Sequence, residues 1–483
     1  MEKKSLLKVL LLSTVIVLSS CKKDNPSTAI VGCMDQMAVN YNASATEEDG
    51  SCNYPTDCNG VENGLAALDL CGICHESYVY NLTTHTVNYI ATQAEADALL
   101  NASAQTSLIE AGTPMYIEFD LNNPSPMHIA TWSQSCTGYF FYADGYSTVS
   151  YGGQTARLDM ASEMVDALAS SSTTEAMLDG MFDHQAGSSD FADAGLNASS
   201  KQIKSKTATG AETPLTTSEQ DYVQGLFDDW FADYATNVAP IMDGNASSHP
   251  ASAGVAGWID NRELNAKGME YDQIVAKSLI GALCLDQVVN SYLSPTKLNV
   301  DNTTRNPDED NNATAMEHHW DEGFGYVYGK FGPNNIYGDL SDDGLLGKYL
   351  NKFPLWATAV SDAFQAGREA IVANDDNARD AQVVIIKETL SMLVAQKAVD
   401  YLEGAAVDAV AKNAAYFHAL SEGYGFILSL QFTNDGNGNA YFTHSEVNEM
   451  LTTLEQGDGL WDRTNTELIE MAATIRATVP GLF

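Results

Sequence analysis

The sequence has little positive charge. Only 24 of its 483 residues are Lys or Arg, whereas 64 are Asp or Glu, and the formal net charge is −40. A surface of this sign repels nucleic acid and anionic lipid headgroups, and it favours cations or basic partners. The composition therefore predicts a soluble protein with no nucleic-acid partner.

The sequence also lacks the sharpest enzyme signatures. It has no GxSxG nucleophile elbow, no GxxxxGK[ST] phosphate loop, no HExxH metal motif and no GxGxxG string after a strand. These absences weaken the commonest hydrolase, kinase and dehydrogenase hypotheses. They favour a binding protein over an enzyme.

The first 21 residues have the parts of a lipoprotein export signal. Lys3 and Lys4 precede a short apolar run, and Ser19 and Ser20 precede Cys21. This end resembles a lipobox, at which a signal peptidase cuts before an acylated Cys. An ordinary signal peptide is the alternative. The apolar run is too short to span a bilayer, and we predict no membrane helix later in the chain.

We therefore predict a chain that is tied to a membrane by lipid. Residues 1–20 would be removed, Cys21 lipidated, and residues 22–31 would form a polar tether. The predicted location is the outer membrane or the cell surface, and a chain that faces the periplasm is the alternative.

Five of the eight cysteines lie close together in residues 32–83, which we predict to be a stalk. Dense cysteines in an exported segment indicate disulfides, because so short a segment cannot bury much core. The CxxC pair, Cys71 and Cys74, could instead bind zinc or act in a redox reaction, but a zinc site would need a second Cys pair at suitable spacing. The five are Cys33, Cys52, Cys58, Cys71 and Cys74.

This stalk resembles a small module that is repeated in secreted bacterial surface proteins. The run from Gly32-Cys33-Met34-Asp35 to Asp49-Gly50-Ser51-Cys52 carries the resemblance, and Cys-rich repeats of the DCxG…DxCGxC kind follow it. The resemblance implies a spacer with a Cys33–Cys52 bridge. It leaves the partners of the other three cysteines open, and Cys136 could be one of them.

The rest of the chain is predicted to be mainly α, with a helical bundle over residues 138–483. A mixed spacer at 84–137 precedes it, with a strand at 114–121, and a hairpin is predicted around Asp144-Gly145. Apolar residues then recur at helical spacing, and six to ten helices are expected, with Cys284 as a buried thiol. The clearest periodic segments are 155–170, 269–293, 355–373, 379–403, 406–431, 443–455 and 463–478.

His and Glu side chains at helical spacing suggest a transition-metal site, with iron or zinc as the ion. The pairs His318/Glu322 and His319/Glu322 share a helix face, as do His418 and Glu422. Glu270 could supply a third group, because bundle metal sites take ligands from several helices. Alternatively, Glu317 is explained by a capping box with Thr314, and His418 by a hydrogen bond inside the core.

A second candidate site is a calcium loop. Asp435, Asn437, Asn439 and Glu446 stand at relative positions 1, 3, 5 and 12 of an EF-hand loop, although Ala440 replaces the usual Gly. The alternative is a turn followed by a capping box between Thr443 and Glu446.

The helical part resembles the domain-of-unknown-function family 4856 of exported lipoproteins over roughly residues 140–480. The run Met316-Glu317-His318-His319-Trp320-Asp321-Glu322 is its most specific part, with Tyr151-Gly152-Gly153 and His418-Ala419-Leu420. More loosely, the domain is similar to imelysin-like proteins, which are linked to iron uptake and carry a GxHxxE motif. His319-Trp320-Asp321-Glu322 matches HxxE, but Glu317 stands in place of Gly.

Three hypotheses follow. The first is a cell-envelope lipoprotein that captures a metal such as iron with His319, Glu322 and His418. The second is a surface module that binds an envelope protein or glycan without metal. The third is a metallopeptidase with Glu322 as general base.

Overall fold

The computed structural model divides the chain into two compact units, Met1–Gly64 and Leu65–Phe483. Predictions for residues 1–20, Cys21, Cys71, Cys136 and strand residues 117–121 lie outside the described part. The structure describes residues 29–35, 38–68, 74–75, 77–81, 86–102, 106–109, 115–116, 128–129, 139, 141–143, 146–305, 312–330 and 344–483.

The first unit is held by a disulfide and by polar side chains that bind backbone. Cys33 and Cys52 are bridged, with their Cα atoms 4.7 Å apart, which confirms the predicted pair. Cys58 is also disulfide-bonded. The Asn40 side chain donates to the Ser51 carbonyl at 2.6 Å and accepts from the Asn53 amide at 2.8 Å. A bridge and such clamps replace the core that a short segment cannot build.

The second unit begins with short strands that start within the predicted stalk and continue into the predicted mixed spacer. β3 (Ser77–Asn81) lies between β4 (Thr86–Ile90) and β5 (Thr106–Ile109) and is antiparallel to both. β8 pairs with β9 across residues 144–145, which confirms the predicted hairpin. The strands are β1 Ala67–Leu68, β2 Cys74–His75, β3 Ser77–Asn81, β4 Thr86–Ile90, β5 Thr106–Ile109, β6 Met115–Tyr116, β7 His128–Ile129, β8 Tyr142–Ala143, β9 Tyr146–Ser147, β10 Gly257–Ile259 and β11 Arg262–Leu264.

The mainly α prediction is confirmed. The described residues contain fourteen α-helices, of which three in the bundle have only four to six residues and account for the excess over the predicted number. The helices are α1 Gln93–Ala102, α2 Gly152–Ala167, α3 Glu175–Phe182, α4 Ala194–Ala198, α5 Thr217–Asp233, α6 Tyr271–Leu279, α7 Pro295–Leu298, α8 Ala315–Tyr328, α9 Leu345–Leu350, α10 Pro354–Ala373, α11 Asp376–Asp408, α12 Ala414–Ser429, α13 His444–Glu455 and α14 Asn465–Thr478.

One predicted helix boundary is wrong. The sequence pattern placed a break between residues 403 and 406, but α11 runs through Gly404 to Asp408. The chain turns instead at Lys412, whose φ is +49°, and Asn413 then caps α12 by accepting from the Tyr416 amide. A Gly inside a helix, such as Gly404, lowers helix stability without ending the helix. The next helix starts where Asn413 can cap it.

The centre of the bundle is a continuous helical run, Tyr271–Tyr292, which packs against α12. It consists of α6 followed by the π-helical segments Ile280–Leu285 and Val288–Tyr292. The prediction of no further membrane-length helix is wrong by length and composition, because this run has 22 residues and its most apolar 18-residue window has mean hydropathy 1.3. However, 89% of its most apolar window is buried inside the protein, as expected of a core helix.

Candidate functional site

The helix α8 begins with the predicted capping box and then divides its polar residues between two faces. The Thr314 side chain accepts from the Glu317 amide, and the Glu317 carboxylate accepts from the Thr314 amide. Residues four apart share a face of a helix. Glu317 and Asp321 therefore point one way, and His318 and Glu322 point another.

The first face is a buried ion-pair cluster around Arg368, which is fully buried on α10. Its guanidinium lies 3.0 Å from both Glu317 Oε1 and Asp321 Oδ1, and it donates to Thr148 Oγ1 at 2.9 Å. Tyr139 donates to Asp321 Oδ1 at 2.7 Å. Burial raises the pKa of Asp321 to about 6, although Arg368 and the hydrogen bonds oppose that shift. This cluster is structural, because its opposite charges pair inside the core, although Asp321 Oδ2 accepts no hydrogen bond from the described residues.

The second face opens on a polar cavity of about 390 Å³, which we call the Glu322 cavity. Glu322 Oε1 accepts from Gln154 Nε2 at 3.0 Å and from the Tyr292 hydroxyl at 3.1 Å. His318 Nε2 lies 3.9 Å from Glu322 Oε2. The cavity is lined by Ser150, Tyr151, Gly152, Gly153, Gln154, Arg157, Lys201, Lys206, Tyr292, His318 and Glu322.

Three basic side chains line this cavity in a chain that has few of them. Arg157 is buried and uses two donors on the carbonyls of Gln202 and Gly153. The pKa of Lys206 is lowered, mainly because the amine is buried and further because Arg157 repels its charge. Its Nζ lies 5.5 Å from the Tyr292 ring centroid. Together with Lys201, the cavity therefore has three basic side chains and one carboxylate, that of Glu322.

The helix α2 adds a further positive partial charge. It begins at Gly152, and the preceding Tyr151 makes no side-chain capping hydrogen bond. The first amides of an α-helix have no acceptor within the helix, and they carry the positive end of its dipole. Gly152 and Gly153 both line the cavity. Helix N-termini of this kind bind anions.

His319 lies apart from this arrangement. Its Nδ1 is 2.6 Å from the Lys297 carbonyl oxygen, and its ring is tilted against Tyr292 at 6.4 Å. Burial lowers its pKa, and the nearby Lys297 charge lowers it further. His319 is therefore a neutral side chain at neutral pH, and it joins α8 to the Lys297 carbonyl of α7.

A second polar cluster combines His418 with the two carboxylates that the sequence grouped with it. His418 Nδ1 is 2.9 Å from Glu270 Oε2, and His418 Nε2 is 3.7 Å from Glu422 Oε2. Lys277 Nζ lies 3.0 Å from Glu422 Oε1. Burial raises the pKa of Glu422, but Lys277, a hydrogen bond from Tyr401 and His418 outweigh it and the net shift is downward.

The acidic side of this second cluster is crowded. Burial raises the pKa of Glu270, and His418 opposes that shift. Burial also raises the pKa of Glu263 to about 7, with further repulsion from Asp272 and Glu270. Glu270 Oε1 is buried and has no hydrogen-bond partner within the described residues.

Five of the six predicted metal ligands thus lie in two places, and His319 lies in neither. His318 and Glu322 lie in one place, and Glu270, His418 and Glu422 lie in the other. Within the described part, the one group of three ligand atoms within 4.8 Å is Cys33, Glu48 and Cys52, whose sulfurs form the disulfide.

The candidate calcium loop is a turn followed by a capped helix. Asp435 Oδ1 accepts from the amides of Asn437 and Asn439 at 2.9 and 3.0 Å. The Glu446 carboxylate accepts from the Thr443 amide at 2.8 Å, so that the predicted capping box is confirmed. These contacts occupy both carboxylates that the calcium hypothesis requires.

Comparison with known protein families assigns the helical unit. The family described as "Domain of unknown function (DUF4856)" matches residues 136–479. The chain belongs to this family. The DUF4856 domain therefore contains α2–α14 and with them both polar clusters. No curated protein and no solved structure gives a significant match.

Sequence reasoning missed the basic half of the Glu322 cavity. Arg157, Lys201 and Lys206 are not metal ligands, so the His and Glu pattern does not point to them. Two signals were present in the DUF4856 domain. Lys201, Lys204 and Lys206 form a basic cluster in an acidic chain, and two glycines start the helix that carries Arg157.

Proposed function

We propose that this protein is a lipid-anchored binding protein of the cell envelope whose DUF4856 domain captures a small anion in the Glu322 cavity. One observation carries the proposal: three basic side chains and an uncapped helix N-terminus converge on one cavity of a chain with net charge −40. Positively charged side chains that lie close together repel one another unless a negative charge is bound between them. An anionic ligand supplies that counter-charge.

The single carboxylate narrows the class of ligand. Glu322 repels an anionic group placed against it, so that group binds beside Lys201, Lys206 and the start of α2. Glu322 and Tyr292 then remain to bind a hydroxyl group of the same ligand. The best fit is a small hydroxylated anion, such as a sugar phosphate or a sugar acid.

Titration of the full-length protein with glucose 6-phosphate, gluconate, inorganic phosphate and glucose tests this proposal. We expect the anions to bind and glucose to bind much more weakly. Lys206→Met should weaken the binding of glucose 6-phosphate by about 10- to 100-fold, because a charge-assisted contact is lost.

The matched control is Lys204→Met, three residues along the sequence from Lys201. Lys204 is ion-paired with Asp228 at 2.9 Å and does not line the cavity. Its loss should change affinity by less than about twofold. Equal weakening in the two variants would mean that overall charge, and not the cavity, attracts the anion.

The anchor is the second part of the proposal. The lipobox-like sequence before Cys21 supports lipidation, and the Cys-rich stalk supports a location at the outer membrane or cell surface. Labelling of producing bacteria with an alkyne fatty acid should mark the wild-type protein and leave Cys21→Ser unmarked. Label that persists in Cys21→Ser would refute this anchor.

A metal site at His418 Nε2 and Glu422 is the second candidate function, because Glu270 binds the other ring nitrogen of His418 as a carboxylate does beside a metal-bound imidazole. Neutral imidazole and carboxylates suit iron and zinc. Elemental analysis after exposure to ferrous iron or zinc should find about one equivalent of metal, lost in His418→Ala. His318→Ala, which alters the similar pair in the basic cavity, should keep it. If the wild-type protein binds no metal, this candidate function is refuted, and His418 serves only to pair with the two carboxylates.

A further inference from the structure

A buried lysine points into a second cavity that the proposed function does not use. Lys387 lies on α11 with a residual exposure of 4%. Its ammonium makes no hydrogen bond or ion pair with the described residues, and Lys387 lines a cavity of about 320 Å³, which we call the Lys387 cavity. Buried charges are normally paired, because an unpaired one costs several kcal/mol.

The two carboxylates whose charges act on Lys387, Glu212 and Asp435, bind other groups. Glu212 Oε1 accepts from the Thr296 amide at 2.8 Å, and Asp435 accepts from amides of its own turn. Both act on Lys387 only through their more distant charge. Burial lowers the pKa of Lys387 to about 8, against the pull of these two acids. The amine is therefore still mainly protonated at neutral pH and lacks a counter-ion.

The other cation of the Lys387 cavity is saturated. Arg379 binds Asp376 and Asp380, each at 2.7 Å, and it also approaches the Leu298 carbonyl. Within the described residues that line the cavity, Lys387 is thus the one basic group with capacity for a new anion.

Six of the residues that line the Lys387 cavity are apolar: Val289, Leu293, Pro295, Leu298, Val383 and Val384. Four asparagines and the carboxylates of Glu212 and Asp380 line the rest of it, beside Arg379 and Lys387. A cavity of this size, with apolar residues and a few polar groups, is typical of small-molecule sites. Its lining differs from that of the Glu322 cavity, where basic and hydroxyl groups dominate.

We infer that the Lys387 cavity binds a small monocarboxylic acid with an apolar body, whose carboxylate pairs with the Lys387 ammonium. One available cation matches one negative charge, and the aliphatic walls match a hydrocarbon chain or ring. A multiply charged ligand would lack partners there. The site lies outside the Glu322 cavity, and its occupancy does not depend on the anion proposed above.

Calorimetric titration of the full-length protein with benzoate and hexanoate tests the inference, with benzyl alcohol and hexanol as neutral counterparts. We expect saturable binding of the acids and binding of the alcohols that is about tenfold weaker or more. Lys387→Met should weaken the binding of the acids by at least about tenfold. It should also melt at an equal or higher temperature than the wild type without ligand, because an unpaired buried charge is removed.

Two controls separate this site from other effects. Lys397→Met removes a cation from the same helix that is paired with Asp400 at 2.9 Å, and it should leave the binding of benzoate unchanged. Lys206→Met should weaken anion binding in the Glu322 cavity and leave the binding of benzoate unchanged. The inference is overturned if Lys387→Met binds benzoate like the wild type, if acids and alcohols bind alike, or if neither acid binds.

Discussion

Arg368→Met should lower the free energy of unfolding by about 3–5 kcal/mol. The substitution leaves the carboxyl groups of Glu317 and Asp321 without Arg368 and almost fully buried, at 1% and 0% side-chain exposure. Part of the pairing of Glu317 survives through Arg305, which lies 2.6 Å from its Oε2. Asp321 keeps only the Tyr139 hydroxyl, so most of the cost comes from Asp321.

Urea denaturation beside Arg476→Met provides the matched comparison. Arg476 pairs with Glu403 at the surface, where both side chains are 35% exposed. Loss of that pair should cost no more than about 1 kcal/mol. If the two Arg→Met variants unfold at the same urea concentration, the buried cluster does not stabilise the domain as we describe.

Gly281→Ala should destabilise the domain by about 1–3 kcal/mol through overpacking at the centre of the bundle. A Cβ atom on Gly281 would lie 2.2 Å from Ser429 Cβ and 2.5 Å from Ser429 Cα. Because a backbone atom is among these neighbours, relief requires the run Tyr271–Tyr292 and α12 to move apart.

Gly404→Ala is the control with the opposite sign. A Cβ at Gly404 would meet nothing within 4 Å, and the residue lies inside α11. Ala favours a helix over Gly by about 0.5–1 kcal/mol, so this variant should be more stable than the wild type. Denaturation curves of the two Gly→Ala variants therefore move in opposite directions. If Gly404→Ala is destabilised as well, the prediction that Gly404 has open space and gains helix propensity is wrong.

Local patterns predicted most of the secondary structure. The capping boxes at Thr314 and Thr443 and the hairpin at residues 144–145 depend on neighbours within a few positions, and all are confirmed. The break near Gly404 was misplaced, since a single helical Gly is tolerated where the helix is held by packing on both sides.

The candidate sites were harder to predict, because they depend on partners far away in sequence. The sequence predicts one site from the run Glu317 to Glu322. In the structure, Glu317 belongs to the buried cluster around Arg368, whereas Glu322 lines a cavity. Nothing in the run shows that Arg368 would reach Glu317 and Asp321, or that Lys206 would lie near Glu322. Helical spacing predicts which side chains share a face, but it does not predict what lies opposite.

The contact between Arg368 and Thr148 joins residues that are 220 positions apart. During synthesis, Thr148 leaves the ribosome long before Arg368 exists, and domains form in the order that their contacts allow. The segment around Thr148 therefore stays incompletely packed until more than three quarters of the chain has been synthesised. Long-range contacts of this kind slow folding, because loop closure must precede their gain. The early segment of such a chain therefore stays accessible to chaperones and proteases for longer.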